Sequence, residues 1–122
     1  MNLLFVFIGG GLGSLCRYGI GTWLSDYSFP YGTLVANFIS CLLLGFFIGL
    51  ASQEILKSDA RLFLMTGFCG GFSTFSTFSG EIIALIQNGQ LTSGILYIFA
   101  SLAIGLLAIL LGLFIAKSFS LG

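Results

Sequence analysis

The sequence contains no histidine, a single proline and very little charge. Charged residues are 7% of its 122 residues, four basic and four acidic. Ordinary soluble domains carry about 25%. A soluble fold needs a polar shell, and so few charges cannot build one, so the apolar surface must face lipid. A zero net charge with four basic residues also lacks the electrostatic footprint of a nucleic-acid binder. Without histidine, catalysis near neutral pH loses its usual proton carrier. No nucleophile–base or metal constellation can be assembled, which argues against an enzyme. The three cysteines, Cys16, Cys41 and Cys69, stand alone in apolar stretches with no CxxC pair. They read as free thiols that pack as small hydrophobes.

What is present is hydrophobic, at 57% of residues. A membrane span needs about 20 mainly apolar residues. Four stretches qualify, at residues 3–24, 31–52, 62–86 and 94–116. They form a single integral membrane domain across 1–122 with no visible linker. The chain opens without a positive leader, so its start reads as the first span and not as a removable signal. Arg17 and Glu81 are the only charges inside the four stretches. Residues 26–30 and 87–90 read as turns from their Pro, Gly and Asn content. Four spans put both termini on one side, together with Lys57, Arg61 and Lys117, and this leans towards cytoplasmic termini. Gly9 with Gly13, and Gly45 with Gly49, are small pairs four apart that allow close helix packing.

The third stretch is unlike the others. Residues 67–80 carry the pair Gly70 and Gly71, the hydroxyls Ser73, Thr74, Ser76, Thr77 and Ser79, and phenylalanines 72, 75 and 78. The polar part centres on residue 74, the midpoint of 62–86. Freed backbone at that depth is tolerated only inside protein or beside a watery path, and broken helices at the midplane mark ion and substrate sites. A kinked helix with hydroxyls bonded back to its own carbonyls is the plainer alternative. The motif holds no carboxylate or lysine. Neutral hydroxyl and amide donors, with the positive edges of phenyl rings, would replace the water of a small anion without trapping it. An aromatic stripe also fits ordinary packing.

Residues 70–79 resemble the signature of the Fluc (CrcB) fluoride channels. Residues 9–18 look like that family's first-helix pattern, residues 32–37 like its second-helix start, and Tyr97 and Ser101 like its fourth-helix polar pair. The resemblance covers essentially the whole chain. It implies an all-α membrane protein of four helices, the third broken at the midplane, paired as an antiparallel dual-topology dimer with two pores. It implies passive, fluoride-selective export across the plasma (inner) membrane. Phe75, Phe78 and Asn37 match pore residues; Tyr97, Ser101 and Thr77 match polar groups along the path. Gly70 and Ser73 match backbone-carbonyl ligands of a structural sodium ion at the dimer centre. Arg17 matches a vestibule arginine, although snorkelling to the interface also explains it. Glu81 reads either as a gate or as a hydrogen-bonded structural acid. The partner is a second copy in antiparallel orientation or a paired homologue. A small four-helix multidrug exporter is the transport rival, but the first helix lacks the acid it needs. A non-transporting scaffold subunit is the other, and it leaves the polar midplane unexplained.

Overall fold

The computed structural model describes residues 1–26 and 29–121, with no account of the side chains of residues 120 and 121. Among the described residues the chain is helical with short connections and without strands. Helix α1 spans Asn2–Trp23 and α2 spans Tyr31–Ser52. The third segment follows in pieces: α3 (Ser58–Arg61), a π-helix π1 (Leu62–Cys69), α4 (Gly70–Phe72) and α5 (Phe75–Gln87). Helix α6 spans Leu91–Leu121.

Helix boundaries follow local chemistry. The lone proline, Pro30, is the N-cap of α2, where its missing N–H costs nothing. Its carbonyl accepts the first helical bond from Leu34 N at 3.2 Å. The expected turn around it includes Tyr27 and Ser28, which lie outside the described residues. Helix α5 ends with Gly89 at φ 78°, while Gln90 N bonds Leu85 O and Gly89 N bonds Ile86 O. That is a Schellman stop, which glycine fills without a Cβ penalty. Helix α2 ends in the same pattern, but Glu54 takes the left-handed position at φ 61°. Arg61 straps this end, its Nη2 donating to Ala51 O at 3.2 Å.

Three helices, α1, α2 and α6, are long and apolar enough to cross a membrane. The third expected span, 62–86, is helical in pieces and not one continuous helix. The expected fourth span, 94–116, is the central part of a longer helix, Leu91–Leu121.

Two helix pairs organise the molecule: α2 lies along α6, and α1 lies along π1 and α4. Glycines close both contacts. A Cβ on Gly9 would strike Phe63 O, and one on Gly13 would strike Phe68 O. On the other pair, Gly45 faces Ile109 O and Gly112 faces Leu42 O. In lipid, where apolar burial drives little, backbone approach of this kind is what holds helices together.

Candidate functional site

The third segment loses its helix at two residues. Ser73 (φ −100°, ψ 152°) and Thr74 (φ −149°, ψ 127°) are extended. Thr74 then caps α5, its hydroxyl accepting from Thr77 N at 3.5 Å and sharing a 3.0 Å bond with Ser76 Oγ. Ser73 turns back on the preceding turn, and both its N and its Oγ donate to Cys69 O. Arg17 Nε, from α1, donates to Gly71 O at 3.3 Å.

Beside this interruption lies a cavity of about 260 Å³ between α2, the third segment and α6. Asn37, Phe75, Phe78 and Ser101 all line it, with Ser73, Thr74 and Cys41. The spacing explains the convergence. Phe75 and Phe78 share a helix face three residues apart, with ring centroids 6.1 Å apart and planes at 48°. Asn37 Oδ1 and Ser101 Oγ are buried and have no hydrogen-bond partner. Most buried polar atoms are partnered, so such orphans mark a place where a solute or water completes the bonding. Phe75 is 79% exposed, so the cavity wall reaches the surface of the chain.

Tyr97 joins this cavity to a second one. Its ring packs on Phe78 at 4.9 Å, and the residue is fully buried at 0% exposure. Its hydroxyl donates to Glu81 Oε1 at 2.9 Å, and Thr33 Oγ1 donates to Glu81 Oε2 at 2.9 Å. Glu81 thus has both oxygens engaged by neutral donors. A cavity of about 350 Å³ is lined by Arg17, Thr33, Thr77 and Glu81.

Of the residues expected from the sequence, Asn37, Phe75, Phe78 and Ser101 meet at one cavity. Arg17, Thr77 and Glu81 meet at the other. Tyr97 lines neither and bridges the two through Phe78 and Glu81. Ser73 is the first residue of the interruption, and Gly70 begins the short helix α4 that precedes it. Of the consecutive carbonyls at 69, 70 and 71, only that of Gly70 accepts no hydrogen bond among the described residues. The Ser73 carbonyl accepts none either. Sequence reading missed Thr33 and Ser40. The signal was there: Thr33, Asn37 and Ser40 repeat at i, i+4 and i+7, a polar stripe on an otherwise apolar helix.

An all-helical chain with three long apolar helices, and a largely apolar cavity that holds a few polar side chains beside an interrupted segment, is a multi-pass membrane protein. Comparison with known proteins takes this further. The family described as CrcB-like protein, Camphor Resistance (CrcB), matches residues 4–113. The chain is 44% identical over 120 residues to the fluoride-specific ion channel FluC of Flavobacterium psychrophilum, covering 95% of this chain and 97% of the relative. It is 45% identical over 112 residues to that of Thermus thermophilus, covering 89% and 88%. It is 40% identical over 121 residues to that of Phocaeicola vulgatus, covering 95% and 98%. The chain belongs to the CrcB-like family.

Proposed function

We propose that this protein is a passive, fluoride-selective channel that exports fluoride as an antiparallel dimer with two pores. The observation that carries this reading is the convergence of Asn37, Phe75, Phe78 and Ser101 on one cavity, where the Ser101 hydroxyl is a buried donor without a partner. The printed names of the relatives supply the ion. Fluoride is small and hard, and accepts hydrogen bonds. The Ser101 hydroxyl and the Asn37 amide donate them, and the phenyl edges of Phe75 and Phe78 offer partial positive charge. No cationic side chain lines the cavity, so an anion is held without being trapped. Thr77 and Arg17 would supply the second cavity with a donor and a positive charge that attracts anions towards the path. Tyr97 and Glu81 would hold the wall between the two cavities.

The dimer rests on a physical argument. The cavity opens at the chain surface beside the exposed Phe75, so in a lone chain the unpartnered Asn37 and Ser101 atoms would lie close to hydrocarbon. A second, inverted copy covers it and brings two interruptions together near the bilayer midplane. The residues there suit a sodium ion: the carbonyls of Gly70 and Ser73 are unpartnered, and hard cations prefer oxygen ligands. When bound, the ion would supply a fixed positive charge between the subunits. Gly70 and Ser73 present the oxygens, while Thr74 caps the following helix and keeps the backbone open.

The reading is tested by Phe78→Ile and Asn37→Asp in reconstituted protein, with dimerisation followed by cross-linking. Fluoride efflux should fall at least about tenfold with the dimer intact, because each change removes one anion-facing group, worth roughly 1.4 kcal/mol or more. Wild-type efflux from both variants would sink the assignment of this cavity as the pore.

A further inference from the structure

The carbonyls of Cys69, Gly70 and Gly71, shortly before the interruption, differ in their hydrogen bonding. Cys69 O accepts from Ser40 Oγ at 3.0 Å, from Ser73 N at 3.2 Å and from Ser73 Oγ at 3.1 Å. Gly71 O accepts from Arg17 Nε at 3.3 Å. Gly70 O, between them, accepts nothing among the described residues, and Gly70 is exposed.

Ser40 is unusual in its choice of acceptor. A serine inside a helix ordinarily bonds back to a carbonyl of its own preceding turn, which here would be that of Ala36. The Ser40 hydroxyl crosses to another segment instead, and the residue is only 2% exposed. A carbonyl oxygen has two lone pairs. Three donors leave none on Cys69 for a metal ion. Gly71 O faces a guanidinium, whose positive charge repels a second cation at close range.

We propose that Ser40 and Arg17 are positioning residues that reserve the Gly70 carbonyl for a hard monovalent cation by occupying the carbonyls on either side of it. The inference rests on the sodium reading above. Neither side chain touches the ion. Ser40 anchors the turn from α2, and Arg17 anchors it from α1, so the free oxygen is presented by a backbone fixed from both flanks. A ligand set that is already ordered loses less freedom on binding. Removing either anchor returns that cost to the ion's affinity.

The experiment uses the full chain purified in detergent. Its thermal unfolding midpoint is followed as sodium chloride replaces choline chloride at constant ionic strength. A cation that binds only the folded protein raises the midpoint with concentration, and the half-effective sodium concentration reports affinity. Ser40→Ala should raise that concentration about fivefold, the equivalent of one net hydrogen bond. Ser40→Thr, which keeps the hydroxyl, should restore it. Arg17→Lys, which keeps the charge and loses the Nε donor, should move it in the same direction as Ser40→Ala and serves if that variant does not fold. A purely structural role would lower the midpoint equally at every sodium concentration with the half-effective value unchanged, and that result overturns the proposal. A wild-type midpoint indifferent to sodium would overturn the sodium reading itself, and the positioning role with it.

Discussion

The α2–α6 pair and the pairing of α1 with the third segment are both closed by glycines that meet backbone, yet they serve different ends. Between α2 and α6, Gly45 faces Ile109 O and Gly112 faces Leu42 O. Both helices run without interruption. Between α1 and the third segment, Gly9, Gly13 and Gly71 make equally close approaches, but the helix ends at Phe72 and restarts at Phe75. Close packing is therefore not what interrupts the third segment. The difference lies in side chains: Ser40, Ser73 and Arg17 take up carbonyls, and Thr74 caps the new helix. One pair is scaffold, and the other is scaffold opened by polar groups.

That contrast can be broken deliberately. Gly45→Ala and Gly13→Ala should each cost about 1–3 kcal/mol, because the added Cβ forces packed helices apart. Thermal unfolding in detergent measures this. The Gly45 variant should keep its fluoride-to-chloride preference in whatever protein folds, whereas altered selectivity would mean that α2–α6 is more than scaffold. Next in size is Tyr97→Phe, which leaves Glu81 Oε1 without its donor at a cost of about 1–3 kcal/mol. Restored stability in the double variant Tyr97→Phe, Glu81→Gln would confirm that the loss came from the orphaned carboxylate.

The contrast also marks how far the sequence could be read. Helix ends at Pro30 and Gly89 were legible, since proline and glycine leave a fixed local signature. The polar run after Gly70 and Gly71 singled out the segment that is interrupted, and the aromatic and amide residues around it were named in advance. The π-helix at Leu62–Cys69 was not legible: a shift from four-residue to five-residue bonding leaves no trace in an apolar composition. Helix α6 runs past the expected span 94–116 at both ends, because residues 91–93 and 117–121 are helical without being uniformly apolar. Ser40 is legible as the end of the stripe of Thr33, Asn37 and Ser40, but its acceptor on another segment is not, because sequence spacing does not show which segment packs against that stripe. Glu54 was invisible as a helix stop because glutamate seldom takes a left-handed backbone.

Two smaller predictions sharpen the comparison. Thr74→Ala removes the cap of α5 and should cost about 1 kcal/mol, read as a lowered unfolding midpoint. A fluoride flux that falls further than stability would show that the cap also shapes the cavity. Glu54→Gly relieves the left-handed glutamate at the end of α2 and should stabilise by roughly 0.5 kcal/mol. It lies far from the interruption in sequence, so flux should not change.

The most direct measurement is efflux from liposomes holding only this chain, with fluoride and chloride each recorded by an ion-selective electrode. The account predicts rapid fluoride loss with negligible chloride loss, from one gene product without a partner chain. Equal loss of both anions, or no fluoride loss from well-folded dimer, would contradict it.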